Sequence, residues 1–170
     1  MNPYEPVHPL RNPRAIVLIV LGSLLAVLTA AVVLVGLALN RAKATETERA
    51  LVVQAAGRHA VDLLSIDYRT VDRDIERILR SSTGGARQEY GDKAFKETIL
   101  KNKAIETGLL RASGLVSFDG DAAEVLVVAD ATIRWQGQKV KSEDRLYRWR
   151  MQVVKVGDRW LVAKSVDVGW

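Results

Sequence analysis

The sequence predicts an α+β domain behind one membrane-crossing helix, and three observations predict it. The run from Ala15 to Leu39, AIVLIVLGSLLAVLTAAVVLVGLAL, carries no charged residue. From Asn40 to Lys103 apolar residues recur at helical spacing, and beyond Ile105 the period falls to two, as strands require. Helices followed by a run of antiparallel strands define the α+β class.

As a helix the uncharged run reaches about 37 Å, more than the roughly 30 Å hydrocarbon core of a bilayer, so it spans with some tilt. Arg11 and Arg14 before it, with Ala42-Lys43-Ala44 after it, also fit a cleaved secretory signal. The apolar stretch of such a signal is only about 7 to 15 residues, so the anchor is expected to be retained. Arg11 and Arg14 on one side face Arg41, Lys43 and Arg49 on the other, and charge alone leaves the orientation open. Glu46 and Glu48 dilute the second cluster, and a long C-terminal domain translocates largely regardless of charge. The expected topology is therefore a single-pass protein of the cell membrane, N-terminus cytoplasmic and C-terminal domain extracytoplasmic.

All four prolines, Pro3, Pro6, Pro9 and Pro13, precede the span, so residues 1–14 are read as an extended, disordered tail. Residues 40–50 continue the helix as a stalk, and residues 51–170 hold one domain's worth of core. The 25 Lys and Arg are interleaved with 20 Asp and Glu, which is no nucleic-acid stripe. No cysteine is present, so the domain holds together by packing, without disulfides or thiol chemistry.

Within the domain, Leu51, Ala55, His59 and Leu63 form one i, i+4 row, and Val52, Ala56, Ala60 and Leu64 the next. A second helix begins after Thr70, whose hydroxyl is expected to cap it, with Asp72 and Asp74 in the first turn and Val71, Ile75, Ile78 and Leu79 inward. Ser81 to Gly85 breaks the pattern, and Ala86 to Lys103 reads as a third helix. Four strands follow at 107–118, 122–135, 144–156 and 159–168, turning at Asp119-Gly120 and Gly157-Asp158. The second hairpin places Val154 opposite Leu161, Val153 opposite Val162 and Trp149 opposite Val166.

Two stretches, LLSIDYRTVDRDIERILRSSTGGARQEY from Leu63 and YRWRMQVVKVGDRWLV from Tyr147, carry a resemblance. The chain resembles the actinobacterial Mce-associated membrane proteins, in which one N-terminal span precedes a domain with a Ser-x-Asp-Tyr-Arg-Thr-like segment between two helices. Here that segment is Ser65, Asp67, Tyr68, Arg69 and Thr70, and the closing Arg-Trp-Arg strand and Gly-Asp hairpin are Arg148, Trp149, Arg150, Gly157 and Asp158. The resemblance implies a cone of the nuclear transport factor and cystatin-like type, with a curved four-stranded antiparallel sheet around about three helices, as in periplasmic assembly factors of type IV secretion. It further implies accessory membership of a Mce lipid or sterol import system of the cell envelope.

Several constellations could carry function. Tyr68 and Arg69 either form a partner-docking knob or brace the turn between the first two helices. His59 with Asp62 and Asp67 is the only trio suited to acid–base work, but helical geometry sets His59 in the apolar row, where a packed imidazole is expected. Trp149, Met151 and Val153 face the helices, and with His59 they are the candidate lining of a cone pocket. Leu126 and Val128 make the second strand apolar on both faces, either covered or open to a partner. Gly22, Ala26 and Ala30 form a small-residue row in the span, as helices that associate in lipid do. No residue cluster has metal or cofactor spacing, and none is expected to bind one.

These observations lead to a non-enzymatic anchored accessory protein, whose partners are the membrane and Mce transporter subunits, with lipid as a further ligand and no nucleic acid. A lipid carrier using the cone pocket, and a small isomerase or dehydratase using His59, are the alternatives.

Overall fold

The computed structural model describes residues 13–136 and 142–169, so Pro3, Pro6 and Pro9 of the expected tail lie outside the described residues. The chain divides into two compact units, up to Thr45 and from Glu46. Helix α1 runs from Pro13 to Leu63 without interruption, through residues 40–50. Ile16–Leu37 is long and apolar enough to cross a membrane, and none of it is buried within the protein. The hydroxyls of Ser23 and Thr29 donate to the carbonyls of Val20 and Leu25 at 2.9 and 2.8 Å, so neither needs water.

The second unit contains the remaining elements. A 3₁₀ turn, Tyr68–Thr70, leads into α2 (Val71–Arg80), followed by α3 (Gly84–Gly91) and α4 (Lys93–Asn102). Strands β1 (Ala104–Asp119), β2 (Ala122–Trp135), β3 (Glu143–Val156) and β4 (Arg159–Asp167) form one antiparallel sheet in sequence order. The α+β class and the four strands are as predicted. The single helix expected over Ala86–Lys103 is instead two. Asp92, extended at φ −69° and ψ 139°, accepts the Ala94 N–H at 2.7 Å and so caps a new helix after Gly91. Gly84 and Gly85, read as breakers, open α3.

The sheet buries one face against the helices. Val125, Val127, Met151, Val153 and Val162 meet Val52, Ala56, Ala60 and Ile78, all with no exposed surface. Of the two rows on α1, the one through Val52 is the deeper, while Leu51 heads the other at 43% exposure. Two glycines set the close approach. A methyl on Gly57 would lie 2.9 Å from Leu110 Cδ2, and one on Gly108 would overlap the Leu64 side chain. Gly57 is thus a contact point between helix and sheet.

Pairing follows the predicted register at Val154↔Leu161 and Val153↔Val162 but then slips, so that Trp149 faces Asp167 and Arg150 faces Val166. The cause is a bulge between Gln152 and Val153, which inserts a residue that period-two counting does not see. The first turn is Gly120-Asp121, one residue later than expected. Each outer strand is partly covered. Glu106 N–H donates to Ile66 O at 2.8 Å beside β1, and Val162 N–H to Ser81 O at 2.9 Å beside β4.

Candidate functional site

The turn after α1 is held by carboxylates. Asp67 accepts the Arg69 N–H and Nε at 2.9 Å each, which satisfies its charge within the turn, and these bonds hold its carboxyl below the usual range. Asp74, 2% exposed, accepts from Asp67 N–H at 3.1 Å, from the Thr70 hydroxyl at 2.8 Å and from Arg77 at 2.8 Å. Burial alone raises this carboxyl, but the three donors outweigh it and leave it lowered. Thr70 therefore does not cap α2 with its hydroxyl, since Asp74 has taken it. Arg77 also reaches Asp62 at 2.9 Å and Ser65 O, so one guanidinium joins α1, the turn and α2. Upon this frame Tyr68 is half-buried and donates to Gln136 Oε1 at 2.8 Å, while the Arg69 side chain is 59% exposed.

His59 is fully buried. Ser81 Oγ donates to Ile78 O, so it accepts from His59 Nδ1–H at 2.8 Å, and Nε2 has no partner among the described residues. Burial pushes its pKa down to about 4, which keeps the ring neutral. The trio considered for acid–base work is not assembled, because Asp62 is paired with Arg77 and Asp67 with Arg69.

On the inner side a cavity of about 200 Å³ is lined by Leu63, Leu64, Tyr90, Phe95, Glu106, Tyr147 and Trp149, among others. Of the residues proposed for a pocket, only Trp149 lines it; Met151 and Val153 are fully buried in the core, and His59 stands behind Tyr90, ring centroids 5.7 Å apart. The strand expected from Thr107 leaves Glu106 out, whereas β1 begins three residues earlier, at Ala104. The parity of Glu106 in IETGL, shared with Gly108 and Leu110, was the signal that it points inward.

The outer sheet face carries exposed apolar residues. Leu126 is 39% exposed and lies in a row with Gly114, Arg150 and Val166; Val128 is half-buried between Ala112 and Arg148. Leu109 and Leu146, 57% and 52% exposed, flank Asp130 across the strands, and Asp130 pairs with Arg111. With Thr132 and Asp144 they border a surface depression of about 510 Å³. In the first unit, Gly22, Ala26 and Ala30 line one shallow groove with Leu25, Thr29, Val33 and Leu34, and a methyl added at Gly22 meets nothing.

An apolar helix fit to cross a membrane, followed by a packed α+β domain, fits the class of single-pass membrane proteins. Over residues 14–168 the chain matches the family described as uncharacterized protein Rv1363c/MT1408-like, and it belongs to that family. It is 26% identical over 126 residues to the uncharacterized protein Rv1363c of Mycobacterium tuberculosis, covering 72% of this chain and 48% of that one. The chain thus spans about half the length of the curated relative it matches. Among solved structures it is similar to the periplasmic domain of DotI, with 13% identity, TM-score 0.58, and 70% and 94% of the two chains covered. An IcmL-like type IV secretion system protein of Legionella pneumophila gives 10% identity and TM-score 0.57 over 72% and 94%. Agrobacterium tumefaciens VirB8 gives 14% identity and TM-score 0.51 over 73% and 95%. At these identities the likeness is one of fold.

Proposed function

We propose that the protein is a non-enzymatic, membrane-anchored accessory subunit whose outer domain docks on protein subunits of a Mce-type lipid importer. The observation that carries the reading is the outer sheet face, where Leu109, Leu126, Leu146 and Val166 are exposed among ion-paired charges although the helices cover the opposite face. Apolar side chains rimmed by paired charges suit a protein partner, whose apolar groups cover the leucines while the rim fixes register. The named partner comes from the resemblance of the Ser65–Thr70 and Arg148–Arg150 segments. Solved neighbours described as a periplasmic domain and a type IV secretion system protein support an assembly role and an extracytoplasmic domain. The partners already taken by Asp62 and Asp67, and the sealed position of His59, argue against acid–base chemistry at that trio.

The test is the double variant Leu126→Lys with Val128→Glu in the full chain. It is expected to keep wild-type thermal unfolding yet lose most copurification of transporter subunits from mild detergent. Undiminished copurification at equal abundance refutes docking through this face.

A further inference from the structure

The inner cavity has an apolar wall and, among the described residues, an unmet polar demand. Phe95, Ile99, Leu63, Leu64 and the rings of Tyr90 and Trp149 form the wall. Glu106 Oε1 is buried there without a hydrogen-bond partner among the described residues. An orphaned buried acceptor forfeits its hydration unless something supplies a donor. Burial pushes the Glu106 carboxyl up, while the Tyr147 hydroxyl and Arg145 pull the other way. Burial and the neighbouring Glu106 charge together push the Tyr147 hydroxyl up to about 12, so it stays protonated.

We propose that this cavity is a binding site for a small apolar molecule bearing one hydroxyl group, its body against Phe95, Ile99 and Trp149 and its hydroxyl donating to Glu106 Oε1. Size and donor count select that chemistry. A cavity of about 150 Å³ holds a benzene ring, whereas drug-sized ligands take about 300 Å³ or more, so 200 Å³ accommodates one substituted ring or the end of a larger molecule. A whole two-chain lipid does not fit. A charged ammonium or carboxylate would shed its hydration against the apolar wall, and a pure hydrocarbon would leave Oε1 unmet. The site goes beyond the docking reading and does not rest on it.

The test uses the full-length protein in amphipol, with 4-propylphenol and its methyl ether 4-propylanisole as probes, followed by saturation-transfer NMR against empty amphipol. Expected is saturable binding of 4-propylphenol about tenfold tighter than of 4-propylanisole, the size of one hydrogen bond to a buried acceptor. Glu106→Leu is expected to shrink that preference to about twofold or less, and Ala104→Leu, which fills the cavity from its wall, to weaken both probes. Equal affinity for the two probes in the wild-type chain, or signals no greater than in empty amphipol, overturns the proposal and leaves Oε1 to a buried water. That comparison needs no variant, so a variant that fails to fold does not blunt it.

Discussion

Replacing Asp74 with alanine removes the acceptor on which the turn after α1 is built. Three donors lose it together: the Asp67 N–H, the Thr70 hydroxyl and Arg77. Hydrogen bonds to a charged group contribute about 1.5 to 3 kcal/mol each, but the three losses do not add. Arg77 keeps Asp62 and Ser65 O, and half-buried Thr70 can turn to water, so the uncompensated loss falls mainly on the Asp67 N–H. A net loss of about 2 to 4 kcal/mol follows, below the 3 to 5 of a buried pair broken outright, and the melting temperature should fall by roughly 8 to 15 °C. Tryptophan fluorescence during thermal unfolding of the full chain reads it, since Trp135, Trp149 and Trp160 all lie in the second unit. Because the folded carboxyl is held below its unfolded value, its contribution is present above about pH 4 and is lost as pH falls through the folded pKa. The gap between wild type and variant should therefore close in acid. Asp72→Ala is the control, because its carboxylate is 76% exposed and, among the described residues, bound to Lys96 alone. A fall under about 3 °C at pH 7 for Asp74→Ala, or an equal fall for Asp72→Ala, refutes the account.

His59 is neutral when folded and binds a proton near pH 6.5 when unfolded, so stability should drop by about 3 kcal/mol between pH 6.5 and 4. Denaturant titrations across that range should show this slope in wild type and its loss in His59→Gln. Gly108→Ala places a methyl 2.2 Å from Leu64 Cβ, which no rotamer change relieves, and should destabilise by about 3 kcal/mol or more in the same titration, whereas Gly114→Ala, which meets nothing, should be close to neutral. In the span, Gly22→Leu with Ala26→Leu should preserve insertion and domain unfolding but reduce copurification of membrane partners. Leu25 lines the same groove, so the control pair is Leu24→Ala with Leu28→Ala, both exposed and outside that lining; it should matter less, and an equal loss in the two pairs removes the small-residue row as a contact.

Most of the sheet could be read from the sequence because alternation is strict where one face is buried. Ala123, Val125, Val127, Ala129, Ala131 and Ile133 give six inward positions without a fault, and β2 was placed at its observed bounds. Reading failed where an extra residue enters. The bulge after Gln152 shifted Trp149 by one partner, and bulges after Leu110 and Leu115 shift the parity of β1 twice. The split between α3 and α4 was masked because Asp92 acts through its backbone angles and one hydrogen bond, neither of which alters apolar spacing. The pocket was misplaced for a related reason. Alternation showed that Met151 and Val153 point inward, but an inward residue can fill a core as easily as line a space. Which one it does depends on what packs over it from the helices, and Met151 and Val153 share the core cluster with Val52, Ala56, Ala60 and Ile78.

The covered edges bear on how any partner could dock. Strand addition needs a straight row of free N–H and C=O groups, and Ile66 takes that of β1 at Glu106 while Ser81 takes that of β4 at Val162. Farther along β1 the two bulges break the row again. Backbone pairing is thus a poor route onto this sheet, and its outer face is the better one. Face-on docking depends on side chains, above all on Leu109, Leu126, Leu146 and Val166, which the fold itself does not bury. A substitution there should change partner affinity with little change in stability, whereas one at the opposed Val125 or Val127 should do the reverse.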